Sequence, residues 1–158
     1  MAQVITDDFN RASLGSNYLL TQGTAMAIQG STRLQPNDTG LSHSTIVQTT
    51  NTWCRDHYAK ITLTSVESSN YCGLAVRADP NGTATMYFFH VSGFDGSVGK
   101  FVDGAYTSLY SNVSLASANN DVIELRIVGS LLTAKKNGTT VFETTDTSIV
   151  TGNPGVHG

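Results

Sequence analysis

The side chains with the clearest chemical potential are aromatic and polar groups on segments that alternate between apolar and polar residues. A sugar ring stacks its C–H face on an aromatic side chain, while cationic, imidazole and hydroxyl groups hydrogen-bond its hydroxyls. Gly73 and Ala75, placed between such groups, would leave a shallow floor with polar and aromatic walls. The pattern predicts a carbohydrate-binding face, whose candidate residues are Tyr58, Lys60, Arg77, His90, Phe101 and Tyr106.

A second interpretation of the same face is that its rings serve packing alone. Phe88, Phe101 and Tyr106 would then fill a second core layer or lie under a loop. The two interpretations differ in whether the rings are exposed, and both remain open at the level of sequence.

The carboxylates do not form a hydrolytic pair. A retaining glycosidase needs two carboxyl groups about 5 to 5.5 Å apart, which strand residues at i and i+2 on one face supply. The sequence has three Glu, at positions 67, 124 and 143, and none has an acidic residue two positions away. No Gly-x-Ser-x-Gly nucleophile elbow is present either. The sequence therefore predicts no enzyme.

Histidine spacing gives no sign of a metal site. The four His show none of the short pairings that place two ligands on one element: His43, His57, His90 and His157. Asp79, Asn81 and Asp95 have calcium-type donors, but they lie in predicted turns that favour these residue types anyway. The sequence predicts no metal and no cofactor.

The two cysteines are predicted to be free. Cys72 is expected opposite Ser65, about eleven residues along that segment from Cys54. Such a separation is far beyond the limit of about 7 Å between Cα atoms for a disulfide. Two free thiols, with Cys72 buried, suit assembly inside a cell.

The elements that must position these residues are strands. Asn81-Gly82, Asp95-Gly96, Asp103-Gly104 and Asn137-Gly138 are hairpin-turn dipeptides, and the segments between them alternate or are continuously apolar. No window shows helical periodicity with caps. The sequence predicts an all-β fold, a two-sheet antiparallel β-sandwich of the jelly-roll type with almost no helix.

Tight turns also predict a register. A hairpin between Ser68 and Ser69 would set Leu63 opposite Leu74. The Asn81-Gly82 turn sets Leu74 opposite Phe89, and the Asp95-Gly96 turn sets Val102 opposite Phe89. One face then collects the predicted core, to which we add Leu125 and Ile127: Ile61, Leu63, Leu74, Val76, Tyr87, Phe89 and Val102.

Composition restricts the partners. The net charge is −3, only 13% of residues are charged, and no run of Lys or Arg occurs. Nucleic acid is therefore not an expected partner. No apolar stretch approaches the length of a membrane span, and the first residues lack the pattern of a signal peptide.

Four segments in order resemble the concanavalin A-like lectin and glucanase jelly rolls, a family that includes laminin-G-like modules and is found on bacteriophage virion proteins. "DDFNRASLGSNY" is similar to their opening, with Tyr18 where they usually place Trp. "GLAVRADPNGTATMYFFHVS" followed by "GKFVDGAYTSL" resembles their central hairpins. "DVIELRIVGSLLTAKKNGTTVFETTD" resembles a later strand pair, and "GNPG" resembles the turn before their last strand.

The resemblance implies one lectin-like domain over residues 1–158. It implies a non-enzymatic virion surface protein, either a capsid decoration or a tail adhesin subunit, that assembles in the host cytoplasm and attaches to cell-surface glycan. Its partners would be its own subunits or other virion proteins. The alternative is a free-standing or excised carbohydrate-binding module of a larger glycan-active protein.

The end of the sequence carries one more expectation. If Asn153-Pro154-Gly155 is a turn, too few residues follow it for the closing strand of the resembled family. The segment at Val4 and Ile5 would then be an open sheet edge. Open edges pair with other chains. We therefore expect an assembly with residues 1–10 and 150–158 at the contact.

Overall fold

The protein folds almost entirely as β-strands. A computed structural model describes residues 7–9, 12–23, 26–29, 33–36, 43–49, 53–68 and 70–158. In these ranges the only helix is a single 3₁₀ turn at Val113–Leu115, and no helix there could cross a membrane. The strands are β1 (Tyr18–Gln22), β2 (Met26–Gln29), β3 (Arg33–Pro36), β4 (Thr45–Gln48), β5 (His57–Thr62), β6 (Cys72–Ala78), β7 (Met86–Val91), β8 (Gly96–Val102), β9 (Ala105–Asn112), β10 (Val122–Val128), β11 (Leu131–Lys136), β12 (Thr139–Thr145) and β13 (Asn153–His157).

Two antiparallel sheets form the predicted sandwich. The larger sheet has the strand order β1-β4-β13-β6-β7-β8-β9, and the smaller has the order β12-β11-β10-β5. A separate hairpin joins β2 to β3. The all-β jelly-roll prediction is confirmed.

The main core lies between the two sheets. Leu74, Val76, Tyr87 and Phe89 from the larger sheet pack with apolar residues of the smaller one. The predicted core face is confirmed, since Ile61 and Val102 are partly buried against this cluster and the other members are buried. Leu125 and Ile127 are fully buried, as predicted.

The register predictions had mixed outcomes in the central hairpins. Leu74 pairs with Phe89, as the Asn81-Gly82 turn predicts. Phe89, however, pairs with Val98 and not with Val102. The turn lies earlier than expected because Ser92 closes it, donating its N–H to the carbonyl of Asp95 at 2.8 Å. The shift of four residues is even, so each side chain keeps its predicted face.

The predicted pairing of β5 with β6 is wrong. β5 pairs with β10 in the smaller sheet, while β6 belongs to the larger sheet. The intervening segment is a crossover between the sheets. Leu63 exchanges backbone hydrogen bonds with Asp121 and Asn120 at 2.9 and 2.7 Å, and these bonds hold the segment beside β10.

The C-terminal segment is a strand where we predicted a turn. β13 pairs with β4 on one side and with β6 on the other. Pro154 has no N–H to donate, and the register with β6 shifts between Asn153 and Gly155 to accommodate it. β13 therefore has no open edge, which contradicts the expected contact through residues 153–157. Residues 1–6, the other part of that expectation, lie outside the described residues.

Candidate functional site

The candidate site lies on the outer face of the larger sheet, which points away from the main core. Alternation along β7, β8 and β9 places His90, Phe101 and Tyr106 together on this face. Phe101 pairs directly with Tyr106 across the strands, and their ring centroids are 5.5 Å apart. Half of the predicted site residues thus form one surface.

Tyr58 and Lys60 lie on the other side of the molecule. Both point outward from β5, where they neighbour Arg126 and Glu124 of β10. The prediction that they share a face with His90 is wrong, because it rested on the incorrect pairing of β5 with β6.

Arg77 is also separate from the aromatic face. Its φ angle of 50° interrupts the strand alternation, and the residue is buried. Its guanidinium donates to the carbonyls of Ile149, Gly129 and Arg55 at 2.7, 2.6 and 3.2 Å, and Asp56 lies 3.9 Å away. Arg77 therefore holds three loops together at one end of the sandwich.

Four rings form a continuous row on the outer face, and we call them the ring row: Tyr71, His90, Phe88 and Tyr106. Successive centroids are 4.3, 4.8 and 6.0 Å apart. The two inner rings are buried, whereas Tyr71 is 36% and Tyr106 is 52% exposed. The row therefore presents one accessible tyrosine at each end, supported by a buried ring.

The middle of this face is a second core. Phe88 and Phe101 are buried with Val47, Ala75 and Met86 in a cluster separate from the main one. The packing interpretation of the face is thus correct for Phe88 and Phe101. Only the ends of the ring row remain open to a ligand.

Asp95 supplies polar groups beside Tyr71. The Tyr71 hydroxyl donates to its carboxylate at 2.8 Å, and this bond, followed by burial, raises the pKa of Tyr71. Ser92 fixes the same carboxylate at 3.0 Å. Phe94, in the same turn, is 68% exposed. An aromatic surface thus stands next to a hydrogen-bond acceptor held in place.

Three histidines lie close together on the outer face of the larger sheet, although their positions in the sequence are far apart. One ring nitrogen from each of His43, His90 and His157 lies within 4.8 Å of the others. Burial lowers the pKa of all three, that of His90 to about 3 and that of His157 well below its usual range. The spacing of the histidines along the chain gives no sign of this cluster, because sheet topology brings the residues together from distant positions.

Acidic residues are missing from the strands that build the face. None of the seven strands of the larger sheet contains Asp or Glu, as their sequences show. A carboxylate pair on adjacent strand positions, the arrangement of a retaining glycosidase, thus has no residues to form it in these strands.

No protein-family model and no curated protein matches the sequence. Solved structures do match. Carbohydrate-binding module CBM66 from Bacillus subtilis aligns over 94% of this chain and 91% of that chain, with a TM-score of 0.71 and 15% identity. Bacillus licheniformis β-glucanase aligns over 95% and 81%, with a TM-score of 0.60 and 8% identity. Sheep galectin-11 in complex with glycerol aligns over 68% and 84%, with a TM-score of 0.53 and 8% identity. The chain therefore has the same jelly-roll fold as these structures.

Proposed function

We propose that this protein is a non-enzymatic carbohydrate-binding jelly-roll module whose ligand surface is formed by Tyr71 and Tyr106. The observation that carries the proposal is that each tyrosine is exposed and rests on a buried ring, His90 or Phe88. A ring held in this way loses little further freedom when a sugar stacks on it, so more of the stacking energy contributes to affinity.

The neighbouring polar groups suit a ligand rich in hydroxyls. The carboxylate of Asp95 accepts from Tyr71 and Ser92, and it has further lone pairs for a sugar hydroxyl. Similarity to a carbohydrate-binding module and to a galectin, at the level of fold, is consistent with this use of the surface.

The absence of Asp and Glu from the strands of the larger sheet favours binding over hydrolysis. A β-glucanase shares the fold, so fold alone leaves both activities open. Without two adjacent carboxylates on those strands, a bound glycan would be held there and not cleaved.

A glycan array with purified protein tests the proposal. We expect Tyr71→Ala and Tyr106→Ala each to weaken binding of the selected glycan by at least about tenfold. Tyr58→Ala is the matched control, because Tyr58 is 46% exposed but lies on the smaller sheet. Failure of the unmodified protein to bind any glycan, or an equal loss in Tyr58→Ala, would refute the proposal.

A second candidate function is that of a subunit of a bacteriophage virion. Free cysteines favour it, since Cys54 and Cys72 form no disulfide and burial raises the pKa of Cys72 to about 11. Proteins assembled in a reducing cytoplasm keep such thiols. If a virus genome encodes this chain, mass spectrometry of its purified virions distinguishes the virion subunit from the free-standing module. Its presence in particles supports a virion subunit, and its absence from them supports the free-standing module.

A further inference from the structure

One line of residues crosses five strands of the larger sheet. Thr45 on β4 pairs with His157 on β13, His157 with Gly73 on β6, Gly73 with His90 on β7, and His90 with Ser97 on β8. Paired residues share a face, so all five lie on the outer face of the sheet. The two histidines are thus separated only by a glycine.

Gly73 allows the backbone of β7 to approach β6 closely between the two imidazoles. A Cβ at this position would lie 2.1 Å from the carbonyl oxygen of Phe89 and 2.5 Å from the Cα of His90. The ring of His43 lies beside both imidazoles, with its centroid 5.7 Å from that of His90 and 5.1 Å from that of His157, and it is nearly parallel to them, at 9° and 12°. Reciprocal backbone hydrogen bonds between Ser44 and Gly158, at 2.5 and 2.9 Å, hold the segment that carries His43.

A hydroxyl group binds one nitrogen of each buried imidazole. Thr45 Oγ1 donates to the sulfur of Met86 at 3.4 Å, which leaves its lone pairs to accept from Nδ1 of His157 at 2.8 Å. His157 then carries its proton on Nδ1 and a free lone pair on Nε2. Ser97 Oγ lies 2.7 Å from Nε2 of His90, and if it accepts the proton of that nitrogen, the lone pair of His90 is on Nδ1.

The opposite nitrogens have no partner. Nδ1 of His90 and Nε2 of His157 are buried and make no hydrogen bond with any described residue. His90 is 4% exposed and His157 is fully buried. An unpaired buried polar atom costs about 1–3 kcal/mol, so two of them on neighbouring imidazoles require a physical explanation.

We propose that His43, His90 and His157 together bind one divalent transition-metal ion, such as zinc. Three neutral imidazoles suit zinc, copper or nickel, and they do not suit calcium or magnesium, which prefer oxygen ligands. The hydroxyls of Thr45 and Ser97 act as the outer partners that orient metal-binding imidazoles.

Only a small adjustment closes the site. Zinc–nitrogen bonds of about 2.0–2.1 Å place tetrahedral ligand nitrogens about 3.3 Å apart. The three nitrogens lie within 4.8 Å of one another, so each moves by less than about 1 Å through side-chain rotation. The ion would join β13, β7 and the segment before β4, and through His90 it would contact the ring row.

Calorimetric titration of the untagged, EDTA-treated chain with zinc chloride tests the proposal. We expect one zinc ion per chain and a loss of affinity of at least about a hundredfold in His43→Ala. His43 is partly exposed, so this variant leaves the buried sheet intact. Cys54→Ser is the control for adventitious binding by the exposed thiol, and it should bind zinc as the unmodified chain does.

Cobalt spectroscopy provides a second measurement, which does not depend on how His43→Ala folds. Cobalt in a nitrogen site gives visible d–d bands without the near-ultraviolet charge-transfer band of a thiolate ligand. The proposal is overturned by the absence of saturable binding, by equal affinity in His43→Ala, or by a thiolate band that disappears in Cys54→Ser. Excess calcium should not displace the metal.

Discussion

The backbone N–H of Arg77 donates to Nε2 of His57 at 3.1 Å, and this bond joins a strand of the larger sheet to a strand of the smaller one. Nδ1 of His57 in turn donates to the carbonyl of Cys54 at 2.8 Å. The two bonds fix the neutral imidazole with its proton on Nδ1. One end of the sandwich is therefore closed by polar contacts, in which the Arg77 guanidinium also takes part.

Replacing Arg77 by Met should destabilise the protein. The change leaves the buried carbonyl of Ile149 without its guanidinium partner, whereas Gly129 is exposed and its carbonyl can bond water. We expect a loss of about 1–3 kcal/mol in the free energy of unfolding, measured by urea denaturation. Arg126→Met, at an exposed site, is the control and should stay within about 0.5 kcal/mol. Equal losses of unfolding free energy in both variants would show that the hydrogen bonds of Arg77 do not stabilise this end of the sandwich.

Stability should fall in mild acid, in part because of His57. Burial is the largest cause of its lowered pKa. The Arg77 charge adds to the shift, while the bond to Cys54 and the Asp56 charge oppose it. A folded-state pKa below the unfolded value of about 6.5 means that unfolding takes up a proton. The contribution is therefore fully present above pH 6.5 and decreases as the pH falls toward the folded-state pKa.

Urea midpoints between pH 8 and pH 5 measure this effect. In His57→Gln we expect a shallower pH slope than in the unmodified protein, because one of the buried histidines no longer titrates. An unchanged slope would show that His57 does not carry the pH dependence.

Tyr87→Phe should cost about 1–2 kcal/mol although the ring remains in the core. Its hydroxyl donates to Asp146 at 2.7 Å and accepts from the N–H of Ile149 at 3.1 Å, so removal leaves a buried N–H unpaired. Tyr110→Phe is the matched control, since Tyr110 stacks on Phe142 and should lose less than about 0.5 kcal/mol. Thermal unfolding of the two variants provides the comparison, and similar losses would contradict the role of the Tyr87 hydroxyl.

Gly99→Ala should destabilise the protein, because the added methyl group clashes with Phe88 of the ring row. A Cβ at Gly99 would lie 2.5 Å from Cζ of Phe88, and overpacking of this kind costs about 1–3 kcal/mol. Phe88→Leu removes the clashing atom, so the double variant should be more stable than the sum of the two single losses predicts. Strict additivity in chemical denaturation would show that the clash is relieved elsewhere.

Local turn chemistry explains what the sequence predicted well. Asp79 accepts from the N–H of Asn81 at 2.9 Å, and the tight turn that follows sets the register of β6 and β7. Alternation then assigned the core face correctly, because an even register error leaves every side chain on its face.

Contacts between distant segments explain what the sequence could not predict. The partner of β5 is decided by packing with β10, which lies far along the chain, and no local signal distinguishes a crossover from a hairpin. The position of Arg77 depends on a left-handed φ angle that is unusual for this residue type. The histidine cluster likewise requires knowledge of the strand order.

β13 lies between β4 and β6 but is the last strand to be synthesised, so the larger sheet cannot be completed until the end of the chain is available. β6 to β9 pair as consecutive hairpins and can form as soon as they emerge from the ribosome. β4 must wait for β13, and the bond from Asn153 to Gln48 spans 105 residues. Until then β6 is an uncovered edge, exposed to mispairing with other nascent chains. The larger sheet therefore closes late in folding, and that closure also brings His157 to His90.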